Sequence, residues 1–420
     1  MEAHQLRRLK NTLDRFMAQL LADLPRCDQR HWAQAYIRGL LLDGDRKSIE
    51  PMARRLQAVD QAEGDYEQAL QQLVNQSPWS AELVRQRLRR WRADPEKSCR
   101  TGCQSLLILD DTGFPKQGRH SVGVARQYSG TLGKVGNCQV AVTLQHVRQY
   151  ERGRRGDVCC IDGQLYLPKS WTEDRLRMAS SGVPRAVTYQ PKWQIALAML
   201  ERAAADGLWG IVLADSLFGT VTAFRQGLAA QGWNWCVGID STLAVIDAHE
   251  DLGAVPPWTG QGRPPQRPAR VAACQPGRSV RNWAIDHAAD CRTVTWRQGS
   301  QGRMSSRFAA WRVRPAHRLS DGRAPQPPCW LLAQWLVDQD QPAKFFFSNL
   351  PANTPLRTLV RVAKSRWWVE QSYQQMKEEL GLDHFEGRSW RGFYHHLTLV
   401  LLAAAFLSHL RGKGGDSPHG

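Results

Sequence analysis

Four acids sit where carboxylates could do chemistry. Asp110 and Asp111 follow the apolar run SLLIL, Asp215 follows GIVLA, and Glu370 lies in the charge-rich stretch RWWVEQSYQQMKEEL. An acid at the C-terminal edge of a buried strand points into the crevice of an α/β sheet. Two or three carboxylates converging there can hold two divalent ions. Such a pair activates a water or hydroxyl on one side of a phosphodiester and stabilises the leaving oxygen on the other. Hard oxygen ligands suit Mg²⁺ or Mn²⁺. Each acid taken singly has a plainer reading. An Asp after a strand is often a turn former or a helix cap, and a Glu on a charged helix is ordinarily solvated. The chemical reading rests on the acids together and on what surrounds Glu370.

Helical geometry gives Glu370 company. At about 100° per residue, Glu370 lies about 40° from Arg366 and Lys377 about 20° from it. The three project from one narrow face. Val362, Val369, Tyr373, Met376 and Leu380 form an adjoining stripe expected to pack on a core.

The elements that must position these residues follow from hydrophobic periodicity. Residues 1 to about 100 are helical in pattern, as in LKNTLDRFMAQLLADL and SAELVRQRLRRWRA. Arg85, Arg87, Arg89, Arg90 and Arg92 crowd the last of these helices, which reads equally as a DNA-contacting face or as a solvated basic one. A strand is expected over Ser105–Leu109, with the two Asp residues at its end, and further strands at QVAVTLQHV, GQLYLP, GIVLA and WNWCVGID. Helices alternate with the later strands, which predicts a mixed α/β sheet. Residues 242 to 345 change character, with a Pro/Gly-rich loop, a hairpin pattern at RTVTWRQGSQGRMSSRFAAWRVRP, and strands at CWLLAQWLV and KFFFSNL. The chain then returns to helix.

The 420 residues carry 56 Lys+Arg against 39 Asp+Glu, a formal charge of +17, which favours a polyanionic partner, nucleic acid before lipid. The 10 Cys include no C-x-x-C pair, which argues against a zinc ribbon or a secreted disulfide framework. The N-terminus lacks a signal-peptide core. The run LTLVLLAAAFLSHL (Leu397 to Leu410) reads as a buried helix too short to span a bilayer. The expected location is the cytoplasm, with no membrane association. Lys116, Arg119, Arg126 and Lys134 occupy a Gly-punctuated stretch after the first acids, without Walker spacing, so contact with a phosphate backbone is expected and ATP hydrolysis is not. His395 and His396 have no neighbouring zinc-ligand pattern.

These motifs together resemble the DDE transposases of bacterial insertion sequences, over most of the chain to about Leu410. That family's last catalytic helix carries Tyr, two residues, Arg, three residues, Glu, six residues, Lys. Ala363, Arg366, Glu370 and Lys377 stand at those positions, and Ala363 departs from the Tyr. The family's first acid has Thr or Ser two positions on, which selects Asp110 with Thr112 and leaves Asp111 as the alternative. Asp215 in VLADSLFG corresponds to the second acid.

The resemblance implies an RNase H-like α/β core with an all-α N-terminal domain and a β-rich insertion before the last catalytic helix. The expected division is a helical DNA-binding domain (1–100), the first part of the core (101–241), the insertion (242–345), the C-terminal core helices (346–410) and a disordered tail (411–420). It implies that Asp110, Asp215 and Glu370 bind two Mg²⁺ (or Mn²⁺) ions. Arg366 and Lys377 would hold phosphates, with Lys116, Arg126 and Lys134 as further DNA contacts. Trp296 and Trp311, flanking the hairpin, are candidates to stack a base, with sheet packing as the alternative. The substrate would be double-stranded DNA, both transposon ends and target, bound by a dimer. Hydrolysis at the transposon end would free a 3′-hydroxyl that then attacks target DNA. A DNA-binding derivative without catalysis, or a nuclease that does not join strands, are the competing classes.

Overall fold

The computed structural model describes residues 3–61, 63–93, 103–130, 133–150, 156–249, 257–262, 277–299, 302–316, 326–336 and 339–414. The expected hairpin turn at 300–301, most of the Pro/Gly-rich loop and the end of the tail lie outside them. The chain begins with helices α1 (Ala3–Leu20), α2 (Cys27–Leu41), α3 (Ile49–Asp60), α4 (Tyr66–Asn75) and α5 (Ala81–Ala93). Strands β1 (Cys103–Pro115), β2 (Ala125–Ser129), β3 (Lys134–Tyr150) and β4 (Asp157–Tyr166) follow, then α6 (Lys169–Thr172), α7 (Arg175–Ser180) and α8 (Lys192–Ala205). Next come β5 (Ile211–Ala214), α9 (Ser216–Gly219), α10 (Thr222–Ala230), β6 (Asn234–Ile239), β7 (Ala244–Asp247), β8 (Arg278–Ser279) and α11 (Val280–Asp286). Strands β9 (Arg292–Gly299), β10 (Gly302–Pro315), β11 (Cys329–Trp335) and β12 (Pro342–Ser348) precede α12 (Leu356–Lys364), α13 (Trp367–Gln374) and α14 (Trp390–Gly414). The chain divides into two compact units, Met1–Gly210 with Trp368–Gly420, and Ile211–Trp367.

The first unit is built on β3. It pairs antiparallel with β1 on one side, and with β2 and then β4 on the other. Residues 138–148 of β3 are all buried, so both faces of this sheet are covered. The N-terminal helices share this core, because their apolar faces close on α14. Tyr36 Oη lies 2.8 Å from His396 Nδ1, and Phe16 meets Phe406 at 5.4 Å between ring centroids. Helices α1, α2, α4 and α5 thus pack against α14 within the first unit. Helix α14 is longer than its apolar run suggests, and it is the one helix among the described residues long and apolar enough to cross a membrane. Yet 83% of its apolar window is buried within the protein.

Three of the five arginines of helix α5 face the interior. Arg85, Arg89 and Arg92 are buried. Arg85 and Arg89 converge on Asp162, Arg89 also meets Asp206 at 2.7 Å, and Arg92 pairs with Asp157. Arg87 pairs with Asp23, and Arg90 meets Asp206 at 3.0 Å. Burying a guanidinium without a carboxylate is costly, and these acids supply the compensation.

In the second unit β5 and β6 pair in parallel, and β6 continues through β12, β11, β10 and β7 to β8, with β9 on β10. The strands expected as an insertion are thus hydrogen-bonded into one mixed sheet with β5 and β6.

Candidate active site

Asp110 is not at a strand end. Strand β1 runs on to Pro115, and Asp110 stands directly across the ladder from Thr143 of β3. Residues opposite each other in an antiparallel pair share a face, and successive residues alternate. Thr143 Oγ1 lies 2.6 Å from the Tyr373 hydroxyl, and Gln145, two residues on, accepts a 2.9 Å hydrogen bond from Ser372. The face of Asp110 is therefore the face that α13 covers. Asp111 points the other way, where its carboxylate is ion-paired with Lys192 of α8. One Asp110 oxygen accepts the Asp111 N–H at 2.9 Å. Thr112 shares Asp110's face, and its hydroxyl is buried with no hydrogen-bond partner among the described residues.

Glu370 is exposed on α13, one turn ahead of Tyr373 and so beside it on the helix surface. Burial and then the charge of Asp110 push the Tyr373 phenol well above its ordinary pKa, so it stays protonated as a hydrogen-bonding group.

The helix around Glu370 is less regular than its sequence. Helix α12 stops at Lys364, Ser365 and Arg366 form a turn, and after Gln374 the backbone widens into a π-helix over Gln375–Glu379. The Ser365 hydroxyl donates back to the Arg361 carbonyl at 2.7 Å, a bond that bends helices. A uniform 100° step thus fails across Arg366, Glu370 and Lys377. Arg366, half-buried, belongs to the second unit. Lys377 sits in the π turn and donates to the Gly113 carbonyl at 3.1 Å, with its ammonium 5.8 Å from the Phe114 ring centroid. Burial lowers its pKa. Ala363 is buried at the end of α12. Of the residues expected in the apolar stripe, Val362, Val369, Met376 and Leu380 are buried, on helical segments that the break at Ser365 and the π turn interrupt.

Asp215 follows β5 in the second unit, as expected, and caps α9 through a 3.0 Å hydrogen bond from the Leu217 N–H. This turn packs backbone against backbone. A Cβ on Gly219 would lie 2.0 Å from the Gly238 carbonyl oxygen. Arg225, buried on α10, donates to the carbonyls of Gly219 and Thr220 and so clamps the turn that carries Asp215. Among the described residues no three His, Cys, Asp or Glu side chains are grouped as one metal ion would need.

Against known proteins, residues 19–303 match the family model described as DDE superfamily endonuclease. The chain belongs to the DDE superfamily endonucleases. The matched span contains Asp110 and Asp215 and ends before Glu370. The chain is 29% identical over 182 residues to a probable transposase for insertion sequence element IS701 of Microchaete diplosiphon. That match takes in 43% of this chain and 41% of the relative, less than half of either. A solved piggyBac transposase synaptic complex with hairpin DNA aligns with 94% of this chain and 68% of its own, at 10% identity and a TM-score of 0.40.

The other residues expected to contact DNA are scattered. Lys116 is half-buried, with its ammonium on the Phe385 carbonyl and its pKa lowered by burial. Arg126 and Lys134 are exposed on β2 and β3, which pair as a hairpin within the Gly-punctuated stretch. Trp296 lies at a bulge between β9 and β10, under the Lys364 ammonium at 4.8 Å and against Phe308 at 5.6 Å. Trp311 donates to Asp290 at 2.7 Å. Both tryptophans have the partners of sheet packing. His395 and His396 are buried and hydrogen-bonded. Tyr373, Thr143 and Arg225 were not singled out from sequence. The only available signal was Tyr373's place in the apolar stripe, where a buried hydroxyl requires a partner.

Proposed function

We propose that this endonuclease is an insertion-sequence transposase that cuts DNA at transposon ends and joins the freed 3′-hydroxyls to target DNA. The observation that carries the reading is the shared face of Asp110 and the helix bearing Glu370, fixed by the Thr143–Tyr373 hydrogen bond. Asp110, Glu370 and, from the second unit, Asp215 are the proposed metal ligands, and Asp110 is preferred to Asp111, whose carboxylate is engaged by Lys192. Their oxygens are of the kind that Mg²⁺ or Mn²⁺ prefers. Two such ions, when bound, lower the barrier to attack on the phosphodiester and stabilise the leaving oxygen.

The chain's own residues orient that chemistry. Tyr373 and Ser372 hold α13 on the β1–β3 face, and Lys377 ties the π turn to Gly113. Arg366 and Lys377 are the proposed phosphate contacts beside the reacting bond, and an RNase H-like core is the proposed frame. A dimer on DNA, acting in the cytoplasm, fits the need to bring two ends together.

The test uses the protein and labelled duplexes of the DNA that flanks its gene, including any inverted repeats found there. With Mg²⁺, wild type should cleave the repeat ends and join a pre-cut 3′-hydroxyl end to a plasmid. Glu370→Ala should bind the same duplex and cleave nothing. Cleavage by that variant sinks the assignment of Glu370. Binding without cleavage by wild type supports a DNA-binding derivative instead, and cleavage without joining supports a simple nuclease.

A further inference from the structure

The β2–β3 hairpin carries two large side chains that the fold leaves uncovered. Tyr128 is 63% exposed and Val135 52%, and the two stand directly opposite each other in the ladder. They therefore form one apolar patch on one face of a two-stranded ribbon. Arg126, two residues before Tyr128, is exposed on that same face, and Lys134, next to Val135, is exposed on the ribbon's other face. No acid lies in 125–130 or 133–137, and Arg119 and His120 nearby are exposed as well. An apolar protein partner has no need of these flanking cations. A duplex does, since its phosphates flank grooves floored by sugars and base edges, and the major groove admits a two-stranded β-ribbon.

We propose that the β2–β3 ribbon is a DNA-contacting element distinct from the acids, seating Tyr128 and Val135 in a groove while Arg126 and Lys134 bond the flanking phosphates. The proposal rests on the transposase reading for its partner. Its position follows from β3, which carries both Thr143, opposite Asp110, and Val135. These are eight residues apart (143 − 135), a reach of about 26 Å at ~3.3 Å per residue. That is roughly eight base pairs of duplex at ~3.4 Å each. The ribbon thus reads DNA flanking the cleaved bond and leaves the bond itself to the acids.

The experiment measures binding of full-length protein to a mixed-sequence duplex of about 40 base pairs, without divalent metal, across a salt series. Arg126→Ala with Lys134→Ala should lower the slope of log affinity against log salt by about 2, close to 0.9 per lost phosphate contact. Tyr128→Ala with Val135→Ala should weaken binding about tenfold at an unchanged slope. All four side chains are exposed, so melting temperatures should match wild type and certify the fold. The proposal is overturned if wild type binds and both double variants bind with its affinity and slope; the transposase reading then stands. It is equally overturned if the variants lose a dimer in sedimentation while binding DNA normally, which marks the patch as a contact with a second copy. If wild type binds no duplex at any salt, the transposase reading itself fails and the ribbon proposal goes with it.

Discussion

The Tyr373 hydroxyl lies 2.6 Å from the Thr143 hydroxyl, and Thr143 faces Asp110 across the β1–β3 ladder. One hydrogen bond thus couples the helix of Glu370 to the strand of the first acid. Tyr373→Phe removes it and leaves the Thr143 hydroxyl facing an apolar ring edge. The net loss of such a bond is about 1 kcal/mol. Mg²⁺-dependent cleavage is expected to fall about tenfold as the helix loses its register, with the melting temperature lowered by only a few degrees. Unchanged cleavage by purified Tyr373→Phe would show that the bond does not position Glu370.

The two adjacent acids should separate cleanly. Asp110→Asn is expected to lose cleavage below detection while keeping DNA binding. Asp111→Asn breaks the pair with Lys192 on the opposite face. It should cost about 1 kcal/mol of stability, since that pair is partly exposed, and leave cleavage within about threefold of wild type. Reversed phenotypes in the same gel assay would move the metal ligand to Asp111.

Local pattern made much of this legible. The apolar run of β1, the strand before Asp215 and the buried stripe of Val369, Met376 and Leu380 all follow from short-range periodicity. What was illegible depends on distant partners. Arg89 reads as surface charge until Asp162 and Asp206 arrive from elsewhere in the chain. The two Asp residues in the apolar strand DVCCIDGQLY, Asp157 and Asp162, were the hint, since a buried carboxylate needs a cation. The break at Ser365 and the π turn at Lys377 also escaped. Helix propensity is ordinary there, and the Gly113 carbonyl that holds Lys377 comes from β1.

The buried network around Asp162 predicts a large stability effect remote from chemistry. Its carboxylate takes Arg85 at 3.1 Å, Arg202 at 2.9 Å and Arg89 at 3.4 Å. Burial alone would push its carboxyl up, and the three guanidinium groups outweigh that and hold it below the usual range. Asp162→Asn leaves these arginines under-compensated in the core. Denaturant unfolding should show a loss of about 3–5 kcal/mol. A loss under about 1 kcal/mol would mean that Glu82 and Asp206 suffice to neutralise α5.

Acid should destabilise the first unit through His396. Its Nδ1 faces the Tyr36 hydroxyl at 2.8 Å, and its Nε2 lies 3.1 Å from the Gly381 carbonyl, an arrangement a neutral ring satisfies. Burial pulls its pKa down to about 4, against the hydrogen bonds it donates to the Leu382 and Gly381 carbonyls, which raise it. Its ordinary value is near 6.5, so between the two the unfolded chain binds the extra proton. The contribution is whole above pH ~6.5, is lost progressively on acidification, and is exhausted near pH ~4. The span of about 2.5 units corresponds to roughly 3 kcal/mol. Urea midpoints measured across that window should fall with pH, and His396→Gln, which does not titrate, should flatten the slope at the cost of some stability. An equally steep fall in the variant would assign the acid sensitivity to other groups.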